Sequence, residues 1–327
     1  MKLHPRALVA ATALFALTLA GCSQGKSTEE SSAPPSATAS ASAEETPNVN
    51  RNYDGALPEV TGEFAVSATI GAGSGEAPKE IIAKTLQSGS GEEVKADDVV
   101  LIHYAGALWD GKEFDSSFKR SNPDAPDPVL FSLNSLIKGW KYGLAGQHVG
   151  DRVQLVIPPQ WGYGSQDQGS IPANSSLVFV VDIVDRADPQ DLSALKDATD
   201  QNASLPAGVK VEGELGAEPQ LTVGEDVQMP DKLTTIAISE GKGEVLQKED
   251  YVLVHMVSSP VPSTQPAESS WKQGIAVPSQ TPIGDTFNLA GHHMGSRLLV
   301  MVPKQGDTPA VISVIDLVAK ASTKTAK

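Results

Sequence analysis

The residues able to do chemistry fall into four groups, and three of them lack the spacing their chemistry demands. Ser, His and Asp are plentiful, yet no G-x-S-x-G nucleophile elbow occurs. His292 and His293 together with His255 suggest a metal, but adjacent residues on a turn point apart, and neither cysteines nor an HExxH spacing supports them. The glycine-rich segment from Gly71 to Gly75 is followed by neither a helix signal nor Gly-Lys-Ser/Thr, so it makes a poor phosphate cradle. The fourth group is aromatic and acidic. It comprises Trp140, the pair Phe114-Asp115, and Tyr163 between two glycines in Trp161-Gly162-Tyr163-Gly164. Such residues hold no nucleophile or proton shuttle; they offer an apolar surface and a few hydrogen bonds. Taken singly, Trp140 reads as a core ring, Asp115 as an Asx cap of the following turn, Tyr163 as a loop anchor and His103 as a core histidine.

These residues need elements to hold them. The apolar runs Val99 to Ala105, Val153 to Ile157 and Leu177 to Val184 are short and β-branched, so they read as strands; Tyr251 to Val257, Leu298 to Val302 and Val311 to Val318 read likewise. Leu177 to Val184 is almost wholly apolar and should lie centrally, while Arg152 and Gln154 alternate outward. One helical pattern stands out, capped by Asn134 or Ser135 and carrying Leu136, Ile137, Trp140 and Leu144 on one face. Gly139, Gly143 and Gly146 keep it short. Many strands around one short helix imply the α+β class, an antiparallel sheet covering a helix on one face.

The 327 residues suffice for about two domains, and 25 Lys+Arg against 40 Asp+Glu give a net charge of −15. That charge repels phosphates and anionic headgroups, which argues against nucleic-acid partners. One cysteine excludes an intrachain disulfide. Lys2 and Arg6 precede an apolar run from Ala7 to Leu19, too short to span a bilayer but right for a signal-peptide core. It ends in Leu19-Ala20-Gly21-Cys22, which resembles the lipobox of bacterial lipoproteins: residues 1–21 are expected to be removed and Cys22 to carry acyl chains holding the chain on the extracytoplasmic face of the cell membrane. The mature chain would then carry a net charge of −17. Residues 22–57 are rich in Ser, Ala, Thr, Glu and Pro and read as a tether, with an end-to-end distance on the order of 30 Å.

Beyond the tether the chain repeats itself. Gly89, Gly91, Glu92, Asp98, Val100 and His103 align with Gly241, Gly243, Glu244, Asp250, Val252 and His255 at an offset of 152 residues. Leu144-Ala145-Gly146, Gly150 and Arg152 match Leu289-Ala290-Gly291, Gly295 and Arg297 at an offset of 145, and Asp182 matches Asp316 at 134. The second copy has therefore lost seven residues and then eleven more. The expected boundaries are 58–187 for the first copy, 188–205 for a linker, 206–320 for the second copy and 321–327 for a tail.

Five separated blocks of the first copy, over residues 80–186, resemble the FKBP family of peptidyl-prolyl isomerases. They are Val100-Leu101-Ile102-His103-Tyr104-Ala105-Gly106, Asp110 through Ser117, Leu136-Ile137-Lys138-Gly139-Trp140, Gly146 through Arg152, and Trp161-Gly162-Tyr163-Gly164 followed by Ile171-Pro172 and Leu177-Val178-Phe179. The resemblance implies two FKBP-like domains, each a sheet of about five strands around a short helix. It implies a pocket with Trp140 as floor; Tyr104, Phe114, Leu136, Ile137, Tyr163 and Phe179 as walls; Asp115 at one rim; and the Ile171 N–H at the other. Val129 stands where the family commonly has phenylalanine, which thins one wall. The implied activity is isomerisation of X-Pro bonds in exported, partly folded polypeptides, without a cofactor, and the implied inhibitors are macrolides. The alternative is a non-catalytic chaperone or ligand-binding lipoprotein. The joint pattern lifts Trp140, Tyr163 and Asp115 above their single-residue readings; it does not lift His103. In the second copy Met256 replaces the tyrosine, a stretch around Glu268 to Trp271 replaces Phe-Asp-Ser-Ser, and Asp285 falls at the tryptophan position. That copy is expected to keep the topology and lack the activity.

Overall fold

A computed structural model describes residues 46–120, 126–263, 265–274, 276–279 and 281–323. The leader, Cys22 and the tether up to residue 45 lie outside the described residues. The first half contains β1 (Val49–Asn50), a hairpin of β2 (Val60–Thr61) and β3 (Thr69–Ile70), β4 (Ile81–Gln87), β5 (Val99–Leu108), β6 (Glu113–Ser116), β7 (Val129–Ser132), α1 (Lys138–Leu144), β8 (Arg152–Ile157) and β9 (Leu177–Ala187). The second contains α2 (Ser193–Lys196), β10 (Thr199–Asp200), a hairpin of β11 (Val209–Glu212) and β12 (Gln220–Val223), β13 (Thr234–Glu240), β14 (Tyr251–Val261), β15 (Glu268–Ser269), β16 (Val277–Pro278), β17 (Arg297–Val302) and β18 (Ala310–Ala321).

Each half builds a seven-stranded sheet, and the neighbour order is the same in both. The first runs β1-β4-β8-β9-β5-β6 with β7 also on β5; the second runs β10-β13-β17-β18-β14-β15 with β16 also on β14. β9 lies between β8 and β5, as its nearly unbroken apolar run predicts. The sheets exceed the expected five strands because two-residue edge strands such as β1 and β10 carry no readable alternation. The repeat also holds atom by atom. The Ser117 hydroxyl accepts from the Tyr104 N–H at 2.8 Å, and the Ser270 hydroxyl accepts from the Met256 N–H at 2.8 Å.

Four expectations change. First, order begins before residue 58: β1 pairs parallel to β4, and the Arg51 guanidinium donates to the Gly143 carbonyl at 3.1 Å, gripping the carboxyl end of α1. Second, residues 188–205 are more than a linker, since β10 joins the second sheet and Leu195 is fully buried. Third, Arg152 and Gln154 do not reach solvent. The β2–β3 hairpin and the chain before it cover that face, where Gln154 donates to the Pro58 carbonyl at 2.8 Å and Arg152 forms a buried pair with Asp182 at 2.6 Å. Arg297 pairs with Asp316 at 2.7 Å in the second half and also donates to the Ala217 carbonyl at 2.9 Å, beside the β11–β12 hairpin. Fourth, the second half has no counterpart of α1 among the described residues, only a turn at Thr286–Asn288 in which Phe287 and Asn288 adopt φ of 53° and 52°. Two successive left-handed residues cannot continue a right-handed helix.

Helix α1 starts later than its pattern suggests. Leu136 is extended (φ −100°, ψ 170°) and Ile137 precedes the first helical turn with no side-chain cap. The Asn134 side chain instead accepts from Lys141 at 2.6 Å. Gly139 is needed where the helix lies on β8, because a Cβ there would come within 2.3 Å of Ile157.

One apolar cluster joins the halves. Val99, Leu101, Leu130, Val184 and Ala187 of the first pack with Tyr251, Leu253, Ala276, Val318 and Ala321 of the second, and Leu195 closes the seam. The stacked rings of His255 and Trp271, with centroids 3.8 Å apart, lie beside it. Burial pushes His255 down to about 4. An unfolded imidazole takes its proton near pH 6.5, so between about 6.5 and 4 the unfolded chain binds more protons than the folded one. The stability tied to neutral His255 is complete above about 6.5 and is lost as pH falls toward 4. His255→Phe is expected to remove about 1–2 kcal/mol of the stability difference between pH 7 and pH 4.5, read from urea melts at the two pH values. An unchanged difference would remove His255 as the cause.

Candidate active site

The period of two along β5 turns Tyr104 toward α1 and His103 to the opposite face. His103 stacks on Phe118 at 5.3 Å there, and burial holds it below the usual imidazole range. Trp140 projects from α1 as the meeting point of the other rings. Its centroid is 5.0 Å from Phe179, 5.5 Å from Tyr104 and 6.4 Å from Phe131, all edge to face. Phe114 meets Phe179 at 5.5 Å over Gly106, where a Cβ would come within 2.7 Å of both rings. Edge-to-face pairs match the positive rim of one ring to the negative face of the next. Trp140 is 4% exposed and Ile171 6%, so the floor is nearly dry. Phe114, Val129, Phe131, Leu136, Ile137 and Trp161 are partly buried against the same cluster.

One edge is polar. The Tyr104 hydroxyl donates to Asp115 Oδ2 at 2.5 Å, and Arg120 Nη2 donates to the two Asp115 oxygens at 2.9 and 2.7 Å and also to the Tyr104 hydroxyl oxygen. The guanidinium carbon lies 5.4 Å from the Tyr104 ring centroid. Burial raises the Asp115 carboxyl, but the hydrogen bonds from Tyr104 and Arg120 outweigh it and leave it below the usual carboxylate range. Burial, then Asp115, drives the Tyr104 phenol well above its ordinary value. The edge is thus a fixed carboxylate, phenol and guanidinium at neutral pH, and none of the three is poised to exchange a proton there.

The β8–β9 connection carries two further candidates, Tyr163 and Ile171. Tyr163 is 37% exposed. The Ile171 carbonyl accepts from the Gln168 N–H at 3.0 Å, while among the described residues no hydrogen bond takes the Ile171 N–H. The ten pocket residues named from the sequence lie among the described residues, whereas Cys22 does not. Nine of the ten pack in or border one aromatic cluster, and Tyr163 is exposed on the β8–β9 connection.

Sequence reasoning missed two participants. Phe131 lies two residues beyond Val129, hence on the same face of β7, and supplies an aromatic wall. Strand alternation alone could have found it. Arg120 follows the Ser117–Lys119 turn, and no periodic signal marks it.

Among the described residues the second half offers no such cluster. Register places Glu268 at the Asp115 position and Ser269 at that of Ser116. Met256 packs among Leu298, Val300 and Ile315 in an aliphatic core. Asp285, at the tryptophan position, is exposed and pairs with Lys248. Trp271 belongs to the seam between the halves. No group of three or more His, Cys, Asp or Glu among the described residues could hold a metal ion.

The apolar cup with its carboxylate edge, on a mostly antiparallel sheet wrapped around a short helix, defines a class. Residues 90–184 match the family model of the FKBP-type peptidyl-prolyl cis-trans isomerases, so the chain carries a domain of that family. It is 45% identical over 103 residues to a probable FKBP-type peptidyl-prolyl cis-trans isomerase of Haemophilus influenzae, covering 31% of this chain and 41% of that protein. It is 40% identical over 105 residues to the FKBP-type peptidyl-prolyl cis-trans isomerase FkpA of Escherichia coli, covering 32% of this chain and 37% of that one. The crystal structure of FkpA from Escherichia coli aligns at 38% identity and a TM-score of 0.31, over 34% of this chain and 50% of that chain. The chain thus spans about two fifths of the length of these curated relatives.

Proposed function

We propose that the protein is a peptidyl-prolyl cis-trans isomerase whose activity resides in the cup around Trp140. The observation that carries this reading is the edge-to-face packing of Tyr104, Phe131 and Phe179 on a nearly dry indole, beside a fixed carboxylate. An X-Pro bond isomerises slowly because amide resonance opposes rotation with a barrier of about 18–20 kcal/mol. Twisting removes the resonance and leaves a less dipolar amide, which an apolar site favours over the planar form. A turnover in milliseconds requires about 5.5–8 kcal/mol off the barrier. Trp140 supports the proline ring, while Phe114, Val129, Leu136, Ile137 and Phe179 exclude water from it. The Ile171 N–H and the Tyr163 hydroxyl hold substrate carbonyls, and Asp115 faces the twisting amide. None of these roles needs a cofactor.

The second half keeps the strand order and carries no isomerase site in this reading. The clients are proline-containing, partly folded exported polypeptides, and Cys22 anchors the chain by lipid at the outer face of the cell membrane. The lipobox residues and the Ser- and Ala-rich tether support this placement. Macrolides would compete for the same cup, gripped less firmly where Val129 replaces a ring. Among the described residues no helix is long and apolar enough to cross a membrane.

The test is the slow, proline-limited refolding phase of a model substrate with catalytic amounts of the full chain. Acceleration that saturates with substrate is the expected result. An unchanged slow phase accompanied by suppressed aggregation would replace this reading with non-catalytic binding.

A further inference from the structure

We propose that Tyr251, a residue of the second half, is a positioning residue for the isomerase cup of the first. Its buried hydroxyl donates to the Pro128 carbonyl at 2.8 Å, across 123 positions of sequence. Pro128 immediately precedes β7, the strand that carries Val129 and Phe131. Proline has no backbone N–H, so the carbonyl is the only backbone hydrogen-bonding group through which Pro128 can be fixed, and it is buried.

The alternation of β7 extends the argument. Val129 and Phe131 face the rings around Trp140, whereas Leu130 packs into the seam with Tyr251 and Leu253. The strand is therefore a thin wall with the cup on one side and the second half on the other. It has four residues and pairs in register with β5 alone in its own sheet, Val129 opposite Ile102 and Ser132 opposite Val99. One edge of so short a strand gives little resistance to fraying at its start, where Val129 sits. The Tyr251 hydrogen bond holds that start.

The repeat shows that this contact is a departure rather than an inheritance. At the offset of 152, Tyr251 corresponds to Val99 and Met256 to Tyr104. The second copy has lost the phenol of its own cup and carries, five residues earlier, one that serves the neighbouring cup. The inference rests on the isomerase reading and adds that the degenerate half sets the shape of the active one.

Tyr251→Phe keeps the ring and the seam and removes only the donor. Val129 and Phe131 touch substrate in the ground state and the transition state alike, so the variant is expected to raise KM for a short X-Pro peptide roughly three- to tenfold with kcat unchanged. Leu253→Ala, in the same seam but without a bond to Pro128, should lower the thermal midpoint and leave KM within about twofold when assayed well below that midpoint. Equal KM for Tyr251→Phe and wild type overturns the proposal, as does an equal rise in KM for both variants, which would mark plain loosening of the seam. Trp140→Ala assayed alongside keeps the two claims apart. If it is as active as wild type, the isomerase reading itself fails; if its activity is lost while Tyr251→Phe behaves as wild type, only the positioning role fails.

Discussion

Trp140→Ala is expected to lower kcat/KM for X-Pro isomerisation by about 30- to 150-fold, the equivalent of losing roughly 2–3 kcal/mol of transition-state stabilisation. The indole is the one surface that Tyr104, Phe131 and Phe179 all meet. Removing it takes away the one ring those three share and opens the driest part of the cup to water, which restores solvation to the planar, more dipolar amide. The same change should cost about 3–5 kcal/mol of stability, because a nearly buried tryptophan leaves a cavity its neighbours cannot fill. The two effects separate with Trp140→Leu. Leucine fills part of the volume and returns much of the stability, but it offers no flat ring, so activity should recover less than stability. Stopped-flow assays on an X-Pro peptide, paired with urea melts, check both. Activity of Trp140→Leu that follows its stability back to wild type would reduce the indole to a space-filling role.

This cup was readable in the sequence through five separated blocks whose order and spacing resemble one family; periodicity marked only the strands and the helix that hold several of them, while Tyr163 and Ile171 lie on an irregular connection and Trp140 and Asp115 taken singly read as a core ring and a cap. β5, β8 and β9 are long enough for runs of β-branched residues to declare them. What escaped had no such signal. The polar edge needs Arg120, which lies beyond a single irregular turn and reaches back to Asp115 and Tyr104. Arg152 and Gln154 alternate like solvent-facing residues, and only the tertiary position of the β2–β3 hairpin and the chain before it buries them. The second half's missing helix has a similar cause. Leu289 keeps the spacing of Leu144, but the backbone before it turns left-handed at Phe287 and Asn288, a choice apolar spacing does not encode. The seam between the halves was invisible for a different reason. Leu101 and Leu253 look like core residues of their own sheets, and which core they join depends on how the sheets meet.

The buried Arg152–Asp182 pair supports the second large expectation. Arg152 donates from Nε and Nη2 to the two Asp182 oxygens at 2.6 and 2.7 Å, and also reaches the carbonyls of Gly62, Glu63 and Ser67 at 2.7 to 2.9 Å. Asp182 additionally accepts from the Ala65 N–H at 2.7 Å. Arg152→Met strands a fully buried carboxylate and the carbonyls of Gly62 and Ser67 at once, while the Glu63 carbonyl keeps the N–H groups of Val66 and Ser67, and should destabilise the chain by about 3–5 kcal/mol. Adding Asp182→Leu removes the stranded charge, so the double variant should regain part of that loss; the Gly62 and Ser67 carbonyls and the Ala65 N–H stay unpaired and set the remainder. Arg297→Met should cost less, since beyond Asp316 its guanidinium makes only a 2.9 Å bond to Ala217 and a 3.4 Å bond to Gly213 among the described residues. The apolar seam couples the two halves, so each variant is expected to move one shared unfolding transition, seen at the same urea concentration by far-UV circular dichroism and by tryptophan fluorescence. Two transitions, of which Arg152→Met moves one and Arg297→Met the other, would show that the seam does not bind the halves into one cooperative unit, and a brace from Tyr251 to the cup would then have no rigid base to act from.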